Sequence, residues 1–474
     1  MNKFLLSLAL AAVTLAGCTM IPKYQRPAAP VAQTWPKNFV PQNQANQTNA
    51  VADIGWREFF RDPRLQALIG LTLTNNRDLR VAVLNVEQTR AEYRIQLAAL
   101  IPTVNVNANG ERQRTAFGYN GSGSGTTFSQ YNVQLNVSSY ELDLFGQVRS
   151  LKTAALEDYF ASEETRKSAQ IALVAEVANQ YLIERELDEQ LAMTRKTLAA
   201  VQKSYDLTKA SYDAGVGSEL DLRSAESQVD ATKAALAADE QQYTQAEDAL
   251  VLLVGEPLPA DLPPPRRLNE QNLLTDLPPG LPSDLLQRRP DILAAEDELK
   301  AANADIGAAR AAFFPTITLT GGGGTASTAL EGLFAPGSQI WNFSPQINWP
   351  IFATGTAVAE LQYTKAGKLI QVANYEKAIQ TAFREVADDL AAKKFLDEQL
   401  ADQSALVKAE QSRYDLADAR YRDGVDSYLT VLTAQQDLYS AQQNLIAMQF
   451  ARLSNLIGLY QSLGGGWLEH SPQP

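Results

Sequence analysis

Tyr205-Asp206-Leu207-Thr208-Lys209-Ala210-Ser211-Tyr212-Asp213-Ala214-Gly215-Val216 returns later in the chain as Tyr414-Asp415-Leu416-Ala417-Asp418-Ala419-Arg420-Tyr421-Arg422-Asp423-Gly424-Val425. Each copy ends a long stretch without proline on a Gly-Val pair, where glycine can take the left-handed conformation that stops a helix. Outward from these ends the same signals recur in order. Asp78-Leu79 returns as Asp291-Ile292, the strand opening at residues 100–104 returns at 313–317, and Leu144-Phe145 returns as Ile351-Phe352. The offset stays at about 207 to 213 residues, close to half the chain. A duplication built from strands and long helices predicts a quasi-symmetric wall rather than an active-site cleft.

The helical part of the repeat is unusually long. Residues 146–214 hold no proline, and no glycine after Gly146, and they are rich in Ala, Leu, Glu, Gln and Lys. At about 1.5 Å per residue such a helix reaches on the order of 100 Å. Its equivalent, residues 355–423, is interrupted only by Gly367. Each is followed by a returning helix, residues 220–254 and 429–463, and preceded by a shorter one, residues 76–100 and 291–314. The returns carry apolar stripes at helical spacing, Leu220, Leu222, Ala225, Val229 and Leu236 in one, Leu429, Leu432, Leu438, Leu445 and Met448 in the other. Coiled-coil seams account for those stripes. The remaining faces are rich in Ala, Ser, Gln and Asn, which suits helices flanked on both sides in a wall of tubes. The reversals at 215–219 and 424–428 then lie at the same end of two hairpins.

Four strands are expected, at about residues 102–110, 130–145, 315–321 and 342–352. Val104, Val106 and Ala108 alternate with Asn105, Asn107 and Asn109; Tyr131, Val133, Leu135 and Val137 alternate with Asn132, Gln134 and Asn136. Strands uncharged on both faces suit a membrane-spanning barrel better than a half-buried soluble sheet. Four strands cannot close a barrel, and an open edge in lipid leaves backbone groups unpaired. Several copies must share one barrel, two giving eight strands and three giving twelve, and an aqueous lumen favours the larger ring. The Gly- and Ser-rich residues 115–127 and 321–336, the latter with Gly321-Gly322-Gly323-Gly324, are expected to be loops.

The ends indicate export. Residues 1–17 have a positive Lys3, an apolar core and Leu15-Ala16-Gly17 before Cys18, the pattern of a bacterial lipoprotein signal peptide. Cleavage would make Cys18 the acylated N-terminus, and two or more acyl chains make such an anchor durable. A buried free thiol is the alternative reading of Cys18. Thr19 follows where an Asp would favour the inner membrane, so the outer membrane is expected. Residues 18–60 read as an acylated extended leader, 61–254 as the first repeat, 255–290 as a connector with nine prolines in an equatorial region, 291–463 as the second repeat, and 464–474 as a disordered tail. With one Cys and one His, His470, neither a disulfide framework nor a His-based metal site or triad is available. A formal net charge of −13 argues against nucleic acid as a partner.

Leu281-Pro282-Ser283-Asp284-Leu285-Leu286 with Arg289-Pro290-Asp291, then Ile306-Gly307-Ala308-Ala309-Arg310 with Phe314-Pro315, resemble the outer membrane factor (TolC-like) family of tripartite efflux systems. Tyr140-Glu141-Leu142-Asp143-Leu144-Phe145-Gly146 and residues 378–386 are further matches, closest to the OprM-type lipoprotein branch. The resemblance implies a homotrimer with a 12-stranded transmembrane β-barrel, a long periplasmic α-helical barrel and a mixed α/β equatorial domain. It implies a periplasmic adaptor protein, an inner-membrane proton-driven pump of the resistance-nodulation-division class, outer-membrane lipid as surroundings, no cofactor and no catalysis. The family's closed periplasmic end points to Leu429, Asp426, Thr430, Thr433 and Tyr428, with Asp221, Glu219 and Arg422 nearby, as candidate gate residues. Threonine stands at 430 and 433, where the family often has acids. The tips Gly215, Val216, Gly217, Gly424 and Val425 are the candidate adaptor contacts. A trimeric adhesive or structural surface protein is the competing reading; it leaves the near-exact duplication unexplained.

Overall fold

The computed structural model describes residues 19–32, 34–35, 51–115, 126–278, 282–352 and 354–472. The expected signal peptide, Cys18 and the loop tip at 116–125 lie outside the described residues. In chain order the main elements are α1 (Pro63–Asn75), α2 (Arg77–Ala98), β1 (Val104–Thr115), β2 (Thr126–Glu141), α3 (Gln147–Asp213) and α4 (Glu219–Val254). There follow α5 (Pro282–Arg288), α6 (Pro290–Ala311), β3 (Thr316–Ser327), β4 (Gln339–Asn348), α7 (Thr354–Arg422) and α8 (Tyr428–Ser462). The chain divides into two compact units.

The strand-bearing unit comprises residues 19–28, Asn85–Glu163 and Ala294–Glu376. Its sheet is antiparallel with order β1-β2-β3-β4, so β1 and β4 each keep one edge unpaired within the chain. Val104 faces Val137, Tyr131 faces Ser327, and Thr316 faces Asn348. A bulge interrupts β2–β3 pairing between Val137 and Tyr140, where Ser139 takes a φ of 57°. Beneath the sheet, Asp143 accepts hydrogen bonds from the N–H groups of Val148 (3.2 Å) and Arg149 (2.9 Å), capping the first turn of α3. Small side chains then bring helices together: Ala154 on α3 packs with Ala301 and Ala304 on α6.

Two sequence expectations fail in this unit. The four glycines at 321–324 are strand, not loop, and pair with β2 on one side and β4 on the other. The reason is close approach: a Cβ on Gly324 would stand 2.1 Å from the carbonyl oxygen of Val133, and one on Gly322 would stand 2.9 Å from that of Leu135. Composition alone reads such a run as a loop; geometry makes it a seam. The second failure is at the end of β1, which runs past residue 110 through the charged Glu111, Arg112 and Arg114 because Thr126–Glu141 supplies a paired neighbour along its whole length.

The helical unit holds residues 29–32, 34–35, 51–84, Glu164–Leu293 and 377–472. Asp62 caps α1 by accepting from the Arg64 N–H at 2.9 Å, with Pro63 in the first turn where its missing N–H is not needed. Trp56, Phe59, Phe60, Leu65, Leu68 and Ile69 are at most 1% exposed. Phe59 stacks on Tyr460 with centroids 4.0 Å apart, and the Tyr460 hydroxyl donates to the Ile54 carbonyl at 2.6 Å. This core overturns two boundaries. The apolar pattern of Trp56, Phe59 and Phe60 already reads as a short packed helical region from residue 53, and the core confirms it, so the boundary of the extended leader at residue 60 is too late. The tail, expected to be disordered, is also ordered through residue 472: the Trp56 N–H donates to the Leu468 carbonyl at 2.8 Å, Arg57 pairs with Glu469 at 2.8 Å, and His470 Nδ1 lies 3.2 Å from Glu58. Backbone pairing, invisible to composition, holds a polar tail in place. No helix among the described residues is long and apolar enough to cross a membrane.

Candidate functional site

The two reversals are built alike. Gly215 and Gly424 take φ values of 75° and 74°, a region that costs a side chain strain. After them, the N–H of Val216 reaches back to the Ser211 carbonyl at 3.0 Å, and that of Val425 to the Arg420 carbonyl at 2.9 Å. These are helix-ending bonds that satisfy orphan carbonyls of α3 and α7. Val216 is 83% exposed and Val425 62%, so each turn offers an apolar tip to solvent.

Beyond the backbone the copies diverge. At the first reversal Ser218 caps α4 by accepting from the Leu220 N–H at 3.1 Å, and Arg223 lies between Glu219 (3.6 Å) and Glu226 (2.8 Å). At the second, Arg420 grips Asp426 with both nitrogens, Nε to Oδ2 at 2.6 Å and Nη2 to Oδ1 at 3.1 Å. That hydrogen bonding holds the Asp426 carboxyl below its ordinary value. Arg422 pairs with Asp418 at 2.6 Å, one helical turn back, rather than with the acids of the turn.

The candidate gate residues fall into two sets. Leu429 is 65% exposed, and Thr430 and Thr433 are on the same stretch of α8. The Thr433 hydroxyl donates back to the Leu429 carbonyl at 2.9 Å. Tyr428 is only 2% exposed and packs with Val431, Ala434, Ala225 and Ala417. Its ring lies 5.5 Å from that of Tyr421, and its hydroxyl accepts from Ser204 at 3.2 Å. Tyr428 therefore joins the two hairpins, a task helped by Gln436 donating to Gln228 at 2.9 Å. Asp221 is half-buried and Glu219 exposed on the first hairpin.

Sequence reasoning missed a second polar centre in the helical unit. Arg289, whose side chain is 10% exposed, bonds Asp291 (3.0 and 2.7 Å), Glu385 (2.9 Å) and the Ser462 carbonyl (3.0 Å) at the end of α8. Arg289 adjoins Pro290-Asp291, so only the resemblance marked the position. Close by, burial pushes the Asp389 carboxyl up to about 6; Glu385 and Asp388 add repulsion, while the Ser462 hydroxyl, donating at 2.8 Å, opposes the shift. Because the folded value exceeds the ordinary 3.8, ionising Asp389 costs stability progressively as pH rises from about 4 to about 6. Asp389→Asn should therefore raise the thermal midpoint above pH 6 and leave it unchanged below pH 4. A variant no more stable than the parent at pH 7.5 would contradict this.

A four-stranded sheet with two free edges, joined to two helical hairpins of these lengths, defines a channel-forming outer-membrane class. The chain matches the outer membrane efflux protein family over residues 68–256 and 281–465, and it belongs to that family. It is 50% identical over 473 residues to a toluene efflux pump outer membrane protein, TtgC, of Pseudomonas putida, covering 100% of this chain and 98% of that one. It is 44% identical to the outer membrane protein OprJ of Pseudomonas aeruginosa, covering 98% and 96%. Among solved structures, the open state of the MtrE outer membrane channel of Neisseria gonorrhoeae superposes with a TM-score of 0.87 at 41% identity, covering 96% of this chain and 100% of that one.

Proposed function

We propose that this protein is the outer-membrane channel of a tripartite multidrug efflux pump, a passive duct that carries no chemistry of its own. The carrying observation is the four-stranded sheet with unpaired β1 and β4 edges, found in a chain of the outer membrane efflux protein family. In lipid those edges must be paired, and three copies closing edge to edge give twelve strands around a water-filled lumen. The long hairpins extend into the periplasm. There the tips at Gly215, Val216, Gly217, Gly424 and Val425 meet an adaptor protein that links the duct to a resistance-nodulation-division pump. Cargo of the kind named for its relatives, toluene in one and antibiotics in another, is the expected class.

The lipid anchor at Cys18 and the gate belong to the same reading. Leu429 narrows the axis, Thr430 and Thr433 line it below, and the Arg420–Asp426 pair stiffens the turn that presents them. Glu219, Asp221 and Arg422 set the charge around this end, and Tyr428 is the pivot on which α8 rests. Asp426→Asn removes the charge that Arg420 grips, and the duct in a planar bilayer should show raised basal conductance. A closed state indistinguishable from the parent would remove Asp426 from the gate. At the level of the cell, deleting the gene should increase sensitivity to drugs and solvents only where a matching pump is present. Unchanged sensitivity in such cells would count against export.

A further inference from the structure

Alternate side chains of a strand share one face of the sheet, and the register carries that face from strand to strand. One face takes Val104 and Val106 from β1, opposite Val137 and Leu135 of β2, and beyond Gly321 and Gly323 it takes Phe343 and Trp341 of β4. The other takes Asn105, Asn107, Asn136 and Gln134. In a barrel the apolar face meets lipid and the polar face meets water. Val104, Val106, Leu135, Phe343 and Trp341 are all exposed on the single chain, as lipid-facing residues must be.

The apolar face of β1 changes character toward its far end. Gly110 follows Ala108 on this face, and the Tyr131 ring lies over it: a Cβ at Gly110 would stand 3.0 Å from Tyr131 Cδ1. Arg112 and Arg114 come next, both exposed, opposite the uncharged Ser129 and Thr127. They are the only cations on the four strands. Glu111 and Gln113 alternate with them and belong to the polar face. Among the described residues neither arginine makes an ion pair, and the sequence of residues 115–127 contains no acid.

Position along the strand gives the depth. A tilted strand crosses the hydrocarbon in about 9–11 residues. Counted from Val104, the start of β1, Arg112 is the ninth residue and Arg114 the eleventh. The helices α2 and α3 join β1 and β2 at the opposite end of the sheet. Apolar side chains, then an aromatic ring, then cations is the order met on leaving hydrocarbon for headgroups. The two guanidinium groups stand on Cα atoms about 7 Å apart, like charges with no protein carboxylate to share.

We propose that Arg112 and Arg114 form a binding site for the phosphates of the outer-leaflet glycolipid, the lipid A part of lipopolysaccharide. The proposal rests on the reading of the sheet as an outer-membrane barrel, which places this end at the outer leaflet. The guanidinium fork matches phosphate oxygens two at a time. Because β1 is an edge strand, a glycolipid held there lies along the junction where neighbouring copies close.

The probe is bisphosphorylated lipid A, added to oligomers of the full protein drawn from outer membranes in mild detergent and read by native mass spectrometry. In the variant carrying Arg112→Gln with Arg114→Gln its affinity should fall roughly tenfold or more, the loss expected of charged hydrogen bonds. Arg112→Lys with Arg114→Lys keeps the charges without the forks, and its loss should be intermediate. Glu111→Gln, on the polar face, should leave the affinity unchanged. Lipid A stripped of its phosphates should bind the parent as weakly as the intact lipid binds the glutamine variant, a comparison that needs no variant to fold. Equal affinity of parent and glutamine variant for the intact lipid overturns the site. So does equal affinity of the parent for intact and stripped lipid, or for phosphatidylglycerol in place of lipid A. Oligomers weakened alike by the glutamine pair and by Glu331→Gln, with lipid affinity intact, would assign the arginines to a contact between copies and overturn it too. A parent that yields only single chains from outer membranes overturns the barrel reading itself.

Discussion

Gly324→Val is expected to abolish assembly of the barrel, whereas Gly323→Val, one residue away, should leave it intact. A Cβ at 324 would lie 2.1 Å from the Val133 carbonyl oxygen and 2.7 Å from Gln134 Cα, both backbone atoms of β2 that cannot rotate away. Relief requires β3 to part from β2, and every bond lost there is one that lipid cannot replace. At Gly323 the nearest atom to such a Cβ is the Ile340 carbonyl oxygen at 3.8 Å, an ordinary contact. A single-residue shift in a strand turns the side chain to the other face, which is why neighbours differ so sharply. The measurement is the fraction of protein running as a heat-sensitive oligomer on gels of outer membranes. Normal oligomer in Gly324→Val would show that the seam between β2 and β3 has slack that its geometry denies.

Arg289→Ala gives the second large effect, this time in the helical unit. The guanidinium serves Asp291, Glu385 and the final carbonyl region of α8 at once, so its removal leaves carboxylates facing Asp389 without a counter-charge. Breaking a buried pair costs about 3–5 kcal/mol, and the lower end applies because Asp291 and Glu385 keep 36% and 39% exposure. At about 2–4 °C per kcal/mol the thermal midpoint in detergent should fall by roughly 6–12 °C. Arg289→Lys keeps the charge but not the fork, and its fall should be intermediate. Equal midpoints for Arg289→Ala and the parent would assign the stability of this region elsewhere.

The repeat was legible because it is written in periodicity and in turn chemistry. Gly215 and Gly424 announce their own backbone conformation, and the long proline-free runs before them admit little else than helix. The unpaired edges followed from counting strands. What stayed hidden depends on partners far along the chain. Gly321-Gly322-Gly323-Gly324 has the composition of a loop, and only the nearness of the Leu135 and Val133 carbonyls makes it strand. Arg289 gives no local sign that it will meet Glu385 and Ser462. Residues 19–26 show no periodicity, since an extended segment held by Glu296, Asn303 and Arg310 needs none. At the candidate site, the exposed face of α8 was readable, but the burial of Tyr428 was not: it requires Ala225 and Ser204 from the other hairpin.

The pairing of residues 54–60 with Tyr460 and the segment around Leu468 bears on the order in which the protein comes into being. A core whose halves are some four hundred residues apart in sequence cannot close until synthesis has passed residue 468, and such long-range closure is slow. An exported chain is threaded through the inner membrane while unfolded. Placing the closing contact so late leaves this one core of the helical unit open during that passage, and postpones its closure to the far side.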